Sequence, residues 1–171
     1  MPEKSTIKES KKAKREGKAP TTQAGPFVEE EIRHVREGKH GARSAKQAIA
    51  IGLSKARRAG VKLPPPPAGA KASTKKSAKS ADRAASRGTR PSRRRSRAVN
   101  SALKREGHQA ASKKSLSRQA KSAARRRPAS ARRAAAQKAV RTKGPQQRRA
   151  AARKAARTRH SRRRRGAASS Q

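Results

Sequence analysis

Large apolar side chains recur at helical spacing in one short stretch of this chain, residues 26–63. Val28, Ile32 and Val35 stand at positions i, i+4 and i+7, which places them on one face of a helix. Gly38 follows them, and glycine readily takes the left-handed conformation that ends a helix. The pattern predicts one amphipathic helix that ends at Gly38.

A second amphipathic helix is predicted after the turn formed by residues 38–43. Ser44 and Gln47 have the spacing of a capping box, and Gly60 supplies the stop. Because the connection is short, the two helices should pack as an antiparallel hairpin over residues 26–63, which we call the head. The expected core of the head consists of Val28, Ile32, Val35, Ile49, Leu53, Val61 and Leu63.

Composition divides the rest of the chain into three segments. Residues 1–25 are basic and predict a helix that frays, because Ile7 is the only large apolar side chain of that helix. Residues 64–70 open with four prolines, which form a stiff polyproline II spacer and mark the predicted domain boundary. Residues 71–171 are a low-complexity basic tail of mainly Ala, Ser, Lys and Arg.

Charge and hydrophobicity then set the expected fold class. The 171 residues include 51 Lys or Arg and 9 Asp or Glu, for a formal net charge of +42, and only 30% are hydrophobic. This combination is typical of disorder, because too little apolar surface is available to offset about 1–2 kcal/mol of backbone entropy per residue. We therefore expect a mostly disordered chain with a small all-α helical hairpin, and a tail that becomes helical on binding polyanions.

Several classes of protein are disfavoured by what the sequence lacks. It has no Cys, its four His show no metal-ligand spacing, and its acids cluster on one helix that is expected to lie at the surface. The longest uncharged apolar run, residues 48–53, is far shorter than the roughly 20 residues of a membrane span, and the first residues lack the apolar core of a secretory signal. We expect a cytoplasmic, nucleoid-associated protein that is not an enzyme and binds no cofactor or metal.

Basic residues form the candidate binding surface. The turn GKHGARS combines two glycines with basic side chains at the start of the second helix, where free N–H groups attract anions. The outer face of that helix and the arginine runs of the tail carry the same charge. The predicted nucleic-acid contacts are Lys39, His40, Arg43, Lys46, Lys55, Arg57, Arg58, Lys62, Arg93, Arg94, Arg95, Arg125, Arg126, Arg127, Arg132, Arg133, Arg162, Arg163, Arg164 and Arg165.

Duplex DNA is the expected partner, because a charge of +42 suits a polyanion and phosphate contacts need no particular base sequence. The expected function is nonspecific DNA binding and compaction by a histone-like protein. A basic accessory protein of structured RNA or the ribosome is an alternative, although single-stranded RNA recognition relies on aromatic stacking and Phe27 is the only aromatic residue. Another alternative is a head that docks a protein partner while the tail anchors it. A weak homodimer through the head and no insertion into membranes are also expected.

Two runs in the head, REGKHGARS and QAIAIGLSKARRAGVKL, resemble the shared block of a family of small, basic bacterial proteins with no assigned function. The resemblance covers about residues 1–67 and implies a bacterial origin and a folded unit, without a known activity. The tail resembles the tails of linker histones and bacterial histone-like proteins in composition.

Overall fold

The computed structural model of the chain describes residues 2–89, 92–142 and 144–168, and of residues 142 and 162–168 it describes only the backbone. These residues fold into α-helices joined by turns, with a 3₁₀ turn at Gln109–Ala111. The chain divides into two compact units, Met1–Ala120 and Lys121–Gln171. The helices are α1 (Lys4–Arg15), α2 (Pro20–Gln23), α3 (Gly25–Arg36), α4 (Ala45–Arg58), α5 (Ala72–Ser86), α6 (Arg93–Lys104), α7 (Lys113–Arg125), α8 (Ala129–Thr142) and α9 (Pro145–Ala168).

The expected fold class, a mostly disordered chain with one hairpin, is wrong, because helices account for most of the described residues. The tail, expected to be coil until it meets a polyanion, forms the helices α5 to α9 in its described residues. Alanine, lysine and arginine have high helix propensities, which outweigh repulsion of a few tenths of a kcal/mol between neighbouring cations. Local caps add to this: the Ser92 hydroxyl accepts a hydrogen bond from the Arg95 N–H at 3.3 Å, and Gly88 has a left-handed φ of 62°.

The two helices predicted for the head are α3 and α4, which pack against each other. α4 starts at the predicted capping box, where the Ser44 hydroxyl accepts a hydrogen bond from the Gln47 N–H at 3.2 Å. The glycines predicted as helix stops both have positive φ. The two backbones approach closely at Gly52, where an added Cβ would lie 2.7 Å from the Val28 Cα. The hairpin therefore depends on close backbone approach as much as on interlocking side chains.

Small side chains and one aromatic ring dominate the core. One cluster surrounds Phe27 and a second surrounds Val35. Their other buried members are Ala24, Ala56 and Val61 in the first, and Ala42, Ala48, Ala110 and Ala111 in the second. Of the predicted core, Val35 and Val61 are buried and the other five residues are partly buried. The number of large apolar side chains therefore underestimates the apolar surface area that this sequence buries, because alanine also removes apolar area from water.

α1 packs on α3 through small residues rather than through a large apolar stripe. The backbone N–H of Glu3, just before α1, donates a hydrogen bond to the Glu30 carboxylate of α3 at 3.1 Å. The buried residues of α1 are Thr6, Ser10 and Ala13. The first segment is thus held to the head by these polar and small-residue contacts and by Ile7, which packs against the cluster around Phe27.

Segments beyond the proline spacer also pack on the head. α5 lies against α4, and the loop between α6 and α7 covers the turn between α3 and α4. Gly41 donates its N–H to Leu103 O at 2.9 Å, and Ala42 donates its N–H to Gly107 O at 3.0 Å. An added Cβ at Gly41 would lie 1.8 Å from Glu106 O, so only glycine fits there. The first unit therefore continues across the spacer.

The second unit contains α8 and α9 and has neither aspartate nor glutamate. All the described side chains of α8 and α9 are exposed. Among the described residues of the whole chain, no helix combines the length and apolarity that crossing a bilayer requires. The described cations of the second unit are thus exposed.

Candidate nucleic-acid interface

Two adjacent glutamates of α3 point inward and neutralise one of the predicted DNA-contacting lysines. The side chains of Glu30 and Glu31 are 1% and 0% exposed. Lys55 of α4 places its Nζ 2.7 Å from Glu31 Oε2 and 3.5 Å from Glu30 Oε1. Lys55 therefore stabilises the α3–α4 contact, and its charge is largely balanced inside the protein.

Glu30 remains ionised despite its burial. Burial by itself raises the pKa of Glu30. Hydrogen bonds from the Thr6 side chain and the Glu3 backbone N–H, together with the charge of Lys55, outweigh burial and lower the pKa below its usual range. The carboxylate therefore joins α1, α3 and α4 as a charged group.

Glu3 forms a second set of ionic contacts at the start of α1. Its Oε1 lies 3.1 Å from His34 Nε2, and its Oε2 accepts a hydrogen bond from the Arg33 guanidinium. The hydrogen bond with His34, followed by that with Arg33, lowers the pKa of Glu3 to about 2. The carboxylate is thus ionised at neutral pH and holds α1 to the last turns of α3.

Arg57, another predicted contact, is a clamp inside the first unit, with a side chain only 8% exposed. Its Nη1 lies 3.3 Å from Leu63 O and 2.9 Å from Asp82 Oδ2, and its Nη2 donates to Pro64 O. The guanidinium thereby joins α4, the proline spacer and α5. Arg58, the next residue, is exposed.

The turn GKHGARS has few groups left for an anion. The N–H groups of residues 41 and 42 are already used by the loop between α6 and α7. Lys39 Nζ lies 3.0 Å from the Glu37 carboxylate. The His40 side chain is 16% exposed, and its Nε2 lies 3.4 Å from Glu31 Oε1. The structure therefore uses the centre of this turn for internal contacts.

The other predicted contacts of the first unit are exposed. Those on or next to α4 are Arg43, Lys46, Arg58 and Lys62, and those at the start of α6 are Arg93, Arg94 and Arg95. Within the described part of the chain, none of these seven side chains forms an ion pair with an acidic residue. They are the predicted contacts of the first unit whose side chains are exposed and not paired with an acid in the described residues.

The second unit holds the rest of the predicted interface and a stripe that sequence reasoning missed. Arg149, Arg153 and Arg157 recur every four residues, so that with Lys154 they lie along one face of α9. Their i, i+4, i+8 spacing in the sequence is the signal that could have revealed them. The predicted contacts Arg125, Arg126, Arg127, Arg132 and Arg133 are exposed. The side chains of Arg162, Arg163, Arg164 and Arg165 lie outside the described residues.

Comparison with known proteins finds one match. Residues 4–66 match the model of a family of unknown function, DUF6496. The matched region runs from the start of α1 through α4 into the four prolines, so it contains the ion pairs that Glu30 and Glu31 form with Lys55. No curated protein and no solved structure matches the chain. The matched region thus resembles an uncharacterised family, and a function has to be inferred from the site.

Proposed function

We propose that the protein binds duplex DNA without sequence preference and compacts it, as a histone-like, nucleoid-associated protein. The observation that supports this most strongly is the charge of the second unit: residues 121–171 contain 19 Lys or Arg and no acidic residue. Such a surface needs anions from another molecule to balance it. Duplex DNA supplies about one negative charge per 1.7 Å of its axis.

The stripe on α9 suits a phosphate backbone. α9 has 24 residues, which makes it about 36 Å long. Arg149, Arg153 and Arg157 follow one another at intervals of about 6 Å along it. Guanidinium groups bind phosphate oxygens through two parallel hydrogen bonds. Contacts of this kind position a protein on DNA without reading the bases, which supports sequence-independent binding.

The first unit supports compaction by adding a second set of exposed cations. Its contributions come from residues on and next to α4 and from the first turn of α6. Because both units carry exposed cations, one chain can contact two DNA segments. Tethering then raises the avidity without new contacts.

Burial of the one aromatic residue favours duplex over single-stranded nucleic acid. Phe27 is 1% exposed and belongs to the core. Proteins that bind single strands usually stack the bases on exposed aromatic rings, and this chain has none to offer. Phosphate contacts remain, and duplex DNA presents phosphates at high density.

Salt dependence of binding tests the proposal. Binding to duplex DNA, structured RNA and single-stranded DNA would be measured by fluorescence anisotropy between about 50 and about 400 mM salt; ten phosphate contacts predict a slope of log K against log salt near −9. Duplexes of different sequence should bind with similar affinity. Affinity that is indifferent to salt would refute phosphate-led binding. Tighter binding of structured RNA in matched salt would favour the RNA alternative.

Charge-matched variants separate the α9 stripe from net charge. Arg153→Gln with Arg157→Gln removes two charges from the stripe and should reduce the magnitude of the salt slope by about 1.8. Lys8→Gln with Lys11→Gln removes two exposed charges from α1 and should change the slope less. Equal changes in the two variants would show that total charge, rather than the stripe, decides DNA binding.

A further inference from the structure

Glu31, His34 and His40 form a cluster of metal-ligating side chains at the end of α3. Each offers one ligand atom, and these atoms all lie within 4.8 Å of one another. Glu31 and His34 are three residues apart on α3 and share a face, while His40 comes from the turn that follows. Two imidazoles and one carboxylate are a ligand set that zinc uses in proteins.

The Glu31 carboxylate is buried without a hydrogen bond. Its side chain is 0% exposed, and neither oxygen has a hydrogen-bond partner among the described residues. Lys55 Nζ lies 2.7 Å from Oε2 and balances its charge, but the angle of approach does not make a hydrogen bond. A buried polar atom left unbonded costs free energy, which a metal ion can recover. Oε1 is therefore available to a cation, and Oε2 becomes available if Lys55 moves away.

The ring of His40 is held in the orientation that a metal ligand needs. Its Nδ1 lies 3.1 Å from Gly41 O, and since a carbonyl oxygen only accepts, Nδ1 carries the proton. In the neutral ring the lone pair is then on Nε2, which lies 3.4 Å from Glu31 Oε1. Two ligand atoms on one tetrahedral zinc ion are also about 3.4 Å apart. A metal ion bound between His40 Nε2 and Glu31 Oε1 would attract both atoms, whose lone pairs otherwise repel each other.

Glu3 provides an outer partner for His34. Because a carboxylate only accepts, the 3.1 Å contact between His34 Nε2 and Glu3 Oε1 places a proton on Nε2. Carboxylates that hold a ligating histidine in this way fix its tautomer and raise its basicity. The His34 and His40 side chains are 13% and 16% exposed, which leaves a route for an ion from solvent.

We propose that Glu31, His34 and His40 bind one divalent transition-metal ion of the zinc class, with water as a fourth ligand. Imidazole ligands select such ions over magnesium or calcium. The ion would join α3 to its following turn and stabilise the first unit. Lys55 would leave Oε2 and keep its contact with Glu30 at 3.5 Å. This site belongs to the first unit and does not depend on the proposed DNA binding.

Cobalt titration of the full chain tests the site, because Co²⁺ in a tetrahedral site absorbs visible light. We expect absorption bands that saturate at one equivalent of Co²⁺ and disappear when Zn²⁺ is added. Either ion should also raise the unfolding temperature. Glu31→Gln and His40→Gln should abolish the bands, whereas His160→Gln on α9 should keep them. Glu3→Gln should weaken Co²⁺ binding about 10-fold or more, because it removes the outer partner of His34.

Two results would overturn this assignment. The first is an absence of bands in the wild-type chain, or bands that persist in both Glu31→Gln and His40→Gln. The cluster would then be an ion pair between protonated His40 and Glu31. The second comes from a test on the wild-type chain alone, so it does not depend on whether a variant folds. Zn²⁺ should protect His34 and His40, but not His160, from modification by diethylpyrocarbonate, as measured by peptide mass spectrometry. Equal modification with and without Zn²⁺ would exclude the site.

Discussion

Arg57 and Arg58 are adjacent arginines of α4 whose replacement should affect different properties, the packing of the first unit for Arg57 and DNA binding for Arg58. The Arg57 guanidinium is bonded to Leu63 O, Pro64 O and Asp82 within the first unit, whereas Arg58 is exposed. We expect Arg57→Gln to weaken the packing of α5 and the spacer on α4 without removing a DNA contact. Arg58→Gln should remove a DNA contact and leave the packing unchanged.

The cost of Arg57→Gln follows from its hydrogen bonds. Each bond from a charged donor to a carbonyl contributes about 1.5–3 kcal/mol, and the 3.3 Å bond to Leu63 O belongs at the low end. The pair with Asp82, whose side chain is 48% exposed, adds at most about 1 kcal/mol. With both carbonyl bonds at the low end and nothing from the exposed Asp82 pair, the cost is at least about 3 kcal/mol. Local opening of this region should then be at least about 100-fold more frequent.

Two measurements on the same variants distinguish a residue that stabilises the packing from one that contacts DNA. Hydrogen exchange of peptides from α4 and α5, read by mass spectrometry, should be much faster in Arg57→Gln and unchanged in Arg58→Gln. The salt slope for duplex DNA should fall in magnitude by about 0.9 in Arg58→Gln and stay constant in Arg57→Gln. Arg57→Lys keeps the charge but loses the planar fork, so it should also exchange faster. If Arg57→Gln reduced the salt slope and left exchange unchanged, Arg57 would be a DNA contact and not a clamp.

Two further predictions concern helix packing and pH. Gly52→Ala should destabilise the α3–α4 hairpin by about 1–2 kcal/mol, because overlap with the Val28 backbone costs more than the gain of about 1 kcal/mol in helix propensity. Gly25→Ala, with no neighbour within 4 Å, is the control in thermal unfolding, and equal stability of the two variants would contradict the close approach. Glu3 and Glu30 have lowered pKa values in the folded chain, so they stabilise it fully above about pH 4.5, where an ordinary glutamate titrates. That stabilisation should be lost as the pH falls toward about 2, the pKa of Glu3; amide chemical shifts of α1 that stayed native throughout would argue against it.

The ends of the helices in the head could be predicted from sequence because they depend on residues within a few positions. Ser44 caps α4 through Gln47, and Gly38 and Gly60 take the left-handed conformation, as their spacing indicated. These contacts form within one helical turn, so no knowledge of the tertiary structure is needed to see them.

The packing of the first unit could not be predicted because it depends on contacts between distant segments. Glu30 and Glu31 were expected at the surface with the other acids, but they face Lys55 about 25 positions later in the chain. Gly41 was interpreted as part of an open anion-binding turn, but residues 103–107 cover it. Neither contact can be predicted from a periodic pattern within a single helix.

The same reason limits how well the interface could be predicted. Arg57 and Arg58 have the same chemistry and adjacent positions, and only the location of Asp82 beyond the proline spacer distinguishes them. The predicted contacts of the tail are runs of two to four arginines, whereas Arg153 and Arg157 of the α9 stripe stand four residues apart. A helical face is a property of spacing, so a search for runs overlooks it.

Net charge is a poor measure of what this chain offers to a polyanion, because its acids are unevenly placed. All nine acidic residues lie in the first unit, where Glu3, Glu30, Glu31 and Asp82 hold cations at helix contacts. In the second unit no acidic side chain competes with phosphate. Salt screens exposed charges far more than buried pairs, so added salt should release DNA well before it loosens the first unit. A chain of the same composition with its acids moved into residues 121–171 would keep its charge of +42, yet it would lose the ion pairs of α3 and α4 and place acidic competitors among the cations of the second unit.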